Sequence, residues 1–371
     1  LQKKIKDPTY IRKLAKTLLL ENNHRLTLTL EPDRNLSEAR NLAETQRLEE
    51  LKTRLSDVDR NEIIKRTADL ARRQLSKDDE SVLPKVGIED IPQSIADINF
   101  TTKVDNNLRL TSYNRGTNGL VYQQATRPFP NLKIEELKLT SHYISLLTEL
   151  GIGETDYLSV QERQSESVGS INAFSSFYSD LNDEQNVAAN LILSSNALSR
   201  NLDKQTLLVA QTLNEVKFSE KKRIRDLISQ KRAMAEQAVT GNGHTLAMTA
   251  ACAGMNPAAN LSHLLSGLEG TNDLRKLDKE LADSDSLNQF AKKIEVLHGK
   301  FAEMPVELLL IAEDNTLEKM TTQVLDLWST QKSFMSEEDT LSLPKLREKC
   351  GEFWIANTQV NFCARAYPTV P

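Results

Sequence analysis

The stretch of this chain that comes closest to a reactive arrangement is His142-Tyr143-Ile144-Ser145-Leu146. Two histidines four positions apart on a helix share one face and can grip zinc, and an acid just ahead of the second can take a proton from the bound water. His142 holds the first position of such an HxxEH turn, but Ser145 stands where the acid belongs and Leu146 where the second imidazole belongs. One imidazole cannot hold a catalytic zinc, and serine is no base at neutral pH. No catalytic and no metal-ligating residue is therefore expected in the chain, and His142, Ser145 and Leu146 are the positions of a degenerate zinc motif. The plainer reading, a part-buried helix histidine of no ancestral meaning, equally denies His142 a metal.

Other candidates are weaker. His244 follows Gly241-Asn242-Gly243, where helix-start N–H groups could meet an anion, but the lysine and glycine spacing of a phosphate loop are missing. His263 and His298 have no acid or histidine at ligand spacing, so packed or solvated roles are expected. Lys221, Lys222, Arg223 and Arg225 form a short basic run amid Glu215, Glu220 and Asp226, which predicts a solvated helix face rather than a nucleic-acid patch. Cys252, Cys350 and Cys363 make no CxxC pair and are odd in number, so neither a disulfide framework nor a cysteine zinc site is indicated. No nucleophile elbow marks a serine hydrolase.

The elements that must position these residues follow from periodicity. At 371 residues, 39% apolar and 27% charged, the chain has the composition of a soluble globular protein with room for two or three domains. A net charge of -5 leaves no basic stripe for nucleic acid, and no apolar run approaches a membrane span. Residues 10–21 predict a short helix and residues 24–30, which alternate strictly, a strand. Leu48, Leu51, Leu55 and Val58 draw one helical seam, and Ile63, Ile64, Ala68, Ala71 and Leu75 a second. Ser56 and Asp59 have the spacing of a capping box between them, which predicts an antiparallel helical hairpin. Pro84 and Pro92 mark the best boundary.

Beyond it, residues 108–113 and 120–125 predict two strands joined by a turn, followed by helices over 132–149 and from Thr155 or Asp156 to 167, and a strand over 171–177. Helices are expected over 184–199, 203–213, 219–239, 243–252, 257–267 and 281–299, with strands over 305–312 and 352–366 around another helix. The fold class is α+β, an antiparallel sheet packed with helices and preceded by the hairpin.

The ordered set Asn118-Gly119-Leu120-Val121-Tyr122, Leu146-Leu147-Thr148-Glu149-Leu150-Gly151, Gly169-Ser170-Ile171-Asn172-Ala173 and Ala250-Ala251-Cys252-Ala253-Gly254-Met255-Asn256-Pro257-Ala258-Ala259 through Ser266-Gly267-Leu268 resembles presequence proteases, of the pitrilysin/insulinase class of zinc peptidases. The resemblance implies two halves, each of two α+β domains, tied by a helical hairpin and closing around an unfolded peptide, with the zinc in the first domain. It implies residues 1–32 as the end of a preceding domain, 33–83 as the hairpin linker, 84–350 as an inactive metallopeptidase-like domain and 351–371 as the start of a following one.

His142 then lies on a copy of the zinc helix that has lost its ligands. Active members take a third zinc ligand from a glutamate on the next helix, but Glu162 and Glu166, one turn apart, face no histidine pair, and a solvated face with Arg163 is expected. The implied function is a non-catalytic part of a zinc endopeptidase that degrades unfolded peptides, forming the chamber wall and the hinge between halves. No cofactor is expected in this chain, zinc being held by another part of the parent. The implied partners are the N-terminal catalytic half of the same polypeptide and unfolded peptides, with no nucleic acid and no membrane. A start at Leu1 suggests a piece of something longer, soluble, in the cytoplasm or an organelle matrix. The alternatives are a stand-alone interaction module with a charged helical hairpin, and an enzyme with an unrecognised site.

Overall fold

The computed structural model describes residues 4–368 apart from 5, 30, 32, 34, 79, 95–97, 106–107, 181, 329–338 and 357–359. The chain divides into two compact units, Leu1–Ile95 and Ala96–Pro371.

In the first unit α1 (Tyr10–Ala15) runs on into a π-helical turn over Lys16–Leu20. The strand expected over 24–30 is absent: residues 24–29 have no regular structure and residue 30 lies outside the described residues. Leu26 and Leu28 alternate, but both are exposed, and a strand without a partner has nothing to pair its backbone with. Two helices of equal length follow, α2 (Leu36–Arg54) and α3 (Asp57–Leu75). Only Leu55 and Ser56 separate them. The capping box forms as its spacing predicts, with Asp59 N–H donating to Ser56 Oγ at 3.2 Å and Ser56 N–H to the Asp59 carboxylate at 3.0 Å. Neither helix buries a residue, so the apolar seams of Leu48, Leu51, Val58, Ile63 and Ile64 are open to solvent.

The second unit carries β1 (Thr101–Asp105), β2 (Leu108–Asn114), β3 (Leu120–Pro128), α4 (Ile134–Leu146), α5 (Tyr157–Ser167), β4 (Ser170–Ser179) and β5 (Val187–Leu198). It continues through α6 (Leu202–Asn214), α7 (Lys221–Gly241), α8 (Gly243–Cys252), α9 (Pro257–Ser266), α10 (Leu268–Glu280), α11 (Ser284–Ala302), β6 (Glu307–Ala312) and α12 (Asp314–Trp328). The six strands form one sheet in the order β1-β2-β6-β3-β5-β4, antiparallel except for the parallel β2–β6 pair. The fold is α+β.

Three further expectations are corrected. Where a helix was expected over 184–199, Val187–Leu198 form strand β5: Ala189, Leu191, Leu193, Ser195 and Ala197 are buried and the residues between them half-exposed, a period of two that Ala-, Leu- and Asn-rich composition disguised. β2 and β3 are neighbours in sequence but not in the sheet, because β6 lies between them and pairs with both. Residues 352–366 form no strand where they are described. Strand β1 and helix α10 were not foreseen; α10 follows α9 with only Gly267 between, whereas the expected helix ended at 267.

The register gives the sheet two unlike faces. Leu110, Leu308, Ala125 and Leu193 align across one of them, and Leu137, Tyr143, Val209, Ile294, Phe301 and Val324 from α4, α6, α11 and α12 join them in the main core. On the other, one row reads Tyr113, Ile311, Tyr122 and Asn196, the next Thr111, Leu309, Gln124, Ser194 and Asn172, and a third Arg109, Glu307, Thr126, Ile192 and Phe174. None of these residues is buried.

Candidate functional site

Helix α4 begins at a tight cap, with Lys133 N–H donating to Glu136 at 3.1 Å and Glu135 and Glu136 favourably placed in the first turn. Its inner side sinks Leu137, Tyr143 and Leu146 into the core. His142 sits at the margin of that side, only 8% exposed, its ring edge-on to Phe290 at 6.4 Å.

What meets His142 is a lysine. Lys231, from α7, places its Nζ 3.3 Å from His142 Nδ1, 3.4 Å from Ser145 Oγ, 3.2 Å from Ser141 Oγ and 2.6 Å from the Ser141 carbonyl. An ammonium only donates, so Nδ1 is the acceptor and the imidazole proton sits on Nε2. Burial, then the positive charge of Lys231, push the His142 pKa down to about 3, with a small opposing pull from Asp273. Burial pushes Lys231 down to about 8. Ser145 is exposed and donates to the His142 carbonyl at 2.8 Å, while Leu146 is wholly buried in the core. The turn thus brings His142 and Ser145 together around an ammonium and turns position 146 away from them. Zinc does not fit it: the side-chain donors are one imidazole facing a cation, two hydroxyls and no acid.

The remaining candidates lie apart. Glu162 and Glu166 are exposed on α5, but Arg163 between them is half-buried and not part of a solvated face. His244 is exposed in the first turn of α8. His298 bridges the Tyr143 hydroxyl at 3.1 Å and the Asn214 carbonyl at 3.4 Å, and burial lowers its pKa. His263 is buried, with Nε2 3.2 Å from Glu352 Oε2 and the Trp354 ring edge-on to it. The basic run on α7 is only half solvated: Lys221 and Lys222 are exposed, but Arg223 pairs with Glu149 at 2.7 Å and stacks on Tyr157, and Arg225 pairs with Asp278. Among the described residues no three His, Cys, Asp or Glu side chains gather to hold a metal, and no helix is long and apolar enough to cross a membrane.

Sequence reasoning missed Lys231 and Arg127. Both were signalled: Lys231 continues the Ile224, Ile228 spacing on the buried side of α7, and Arg127 shares the inward parity of Val121 and Ala125 on β3. Arg127 is wholly buried, donates to the Leu213 carbonyl at 3.2 Å and to Asn214 Oδ1 at 2.7 Å, and burial lowers its pKa to about 10. A cavity of about 1090 Å³ was also unforeseen. It lies between α8 and residues 347–356 and 360–368, with Leu246, Ala250, Phe353 and Phe362 on its walls.

Residues 30–277 match the family described as Peptidase M-16C associated. The chain belongs to that family. It is 27% identical over 289 residues to the mitochondrial presequence protease of Danio rerio, covering 78% of this chain and 28% of that protein. The chloroplastic/mitochondrial presequence protease 1 of Arabidopsis thaliana is 23% identical over 85% of this chain and 29% of its own length. The mitochondrial presequence protease of Drosophila melanogaster is 21% identical over 98% and 35%. The chain spans only about a third or less of the relatives it matches.

Proposed function

We propose that this chain is the non-catalytic portion of a presequence-protease-like zinc endopeptidase, its sheet contributing to the wall around an unfolded peptide and its two-helix segment acting as hinge between halves. In this reading the metal and the bond-breaking chemistry belong to a part of the polypeptide outside this chain. The observation that carries it is the sheet face that buries none of its residues, uncharged on β2–β6 except for Arg109 and Glu307, which are 3.8 Å apart. Such a surface, with Tyr122, Leu309, Ile192 and Phe174 among polar neighbours, accepts extended peptides of varied sequence without sorting them by charge. The open seams of α2 and α3 leave apolar faces with which a hinge can grip other parts of a longer polypeptide. Mitochondrial and chloroplast relatives support an organelle matrix as the compartment.

The test is made in the full polypeptide. Tyr122→Asp with Ile192→Asp is expected to raise KM for an unfolded peptide severalfold while kcat and zinc content hold, and the 371-residue chain by itself is expected to cleave nothing. An unchanged KM would remove the wall, and chelator-sensitive cleavage by this chain would remove the whole reading. A stand-alone interaction module is favoured by the same exposed seams. It predicts instead that Leu48→Lys with Ile64→Lys abolishes partner capture and leaves peptidase activity untouched.

A further inference from the structure

We propose that the Lys231 ammonium occupies the polar side of the degenerate turn, beside the first-histidine and acid positions, so that α4 is closed to divalent metals by an internal charge as well as by its lost ligands. The inference rests on the reading of His142 and Ser145 as relics of a metal site. What carries it is where Nζ lies. It meets the two side chains at the first-histidine and acid positions, His142 Nδ1 at 3.3 Å and Ser145 Oγ at 3.4 Å, and is anchored on the Ser141 carbonyl at 2.6 Å and hydroxyl at 3.2 Å. Its partners among the described residues are these four atoms, and none is a carboxylate. The nearest acidic group acting on His142, Asp273, is engaged by Lys138 at 2.7 Å and Lys276 at 3.1 Å.

The arrangement has a chemical consequence. Below about pH 8 a divalent ion approaching His142 would meet a tethered positive charge within hydrogen-bond distance of the turn's imidazole. Restoring the acid at position 145 would therefore give an ion pair with Lys231 before it gave a metal site. Reopening the turn requires removal of the lysine.

Three variants of the 371-residue chain test this, since Ser145 is exposed and methionine nearly matches the lysine stem in length: Ser145→Glu, Lys231→Met, and both together. Equilibrium dialysis against cobalt(II) should find no uptake by Ser145→Glu and at least tenfold tighter binding by the double variant. Nitrogen-15 NMR of the unaltered chain should show His142 protonated on Nε2 and a Lys231 ammonium whose protons exchange more slowly than those of exposed Lys221. Equal cobalt affinity in Ser145→Glu and the double variant, or a Lys231 ammonium exchanging as fast as Lys221, overturns the proposal. Should the double variant fail to fold, the NMR comparison decides alone. The relic reading fails separately, if the longer polypeptide holds no zinc in its other parts while the NMR result stands.

Discussion

His142 is a neutral imidazole enclosed by protein, and acid should reveal it. Its folded pKa of about 3 lies below the 6.5 of the unfolded chain, so the unfolded state binds the extra proton between those values. The resulting contribution is whole above pH 6.5 and is lost as pH falls toward 3. Between pH 7.5 and 5 it removes about 2 kcal/mol. Urea titrations should find that loss in the unaltered chain and not in His142→Gln. Lys231 gives a second window: its folded pKa of about 8 is depressed from 10.5, so stability should rise as pH climbs between the two, and not in Lys231→Met. That positions 145 and 146 carry neither the acid nor the second imidazole of a zinc turn was legible in the letters, because a missing acid is a fact of sequence. The ammonium that fills the place was not, since it arrives from a helix about 90 residues away and only packing brings it there.

Among the elements, amphipathic helices α4 to α7 were largely legible because each has a clear inner side. β5 was not, and its composition explains why: alanine and leucine suit a helix, alanine and asparagine are uncommon in strands, and only the parity of burial shows a strand. Parity also sets its energetics. Leu193→Ala, at a wholly buried position, should cost about 2–5 kcal/mol, whereas Ser194→Ala on the open face should stay within about 0.5 kcal/mol. Helix α8 makes a second point. A Cβ on Gly254 would stand 2.4 Å from the Glu348 carbonyl oxygen, and one on Gly243 2.3 Å from the Phe362 ring. Those two glycines allow Glu348, Cys350 and Phe362 to approach so closely, with Glu348 N–H donating to the Gly254 carbonyl at 2.9 Å. Gly254→Ala should raise hydrogen exchange in residues 345–352 and leave the sheet strands protected.

At the scale of the molecule, the charge-rich first unit and the core-bearing second unit differ in how they are held. Ala96–Pro371 contains the main core, while α2 and α3 bury nothing. A chain starting at Ala96 should keep its cooperative unfolding midpoint, and a peptide of residues 33–83 should be weakly helical in isolation, both measurable by circular dichroism. The order of the strands carries a further consequence for biosynthesis. β6 is inserted between β2 and β3, yet it is made about 200 residues after β2. Until it emerges from the ribosome the nascent sheet consists of two separate ribbons, β1–β2 and β3–β5–β4, each with an unsatisfied inner margin. Assembly therefore waits for its middle piece, and a ribosome stalled before Glu307 leaves two sticky edges for a chaperone to shield.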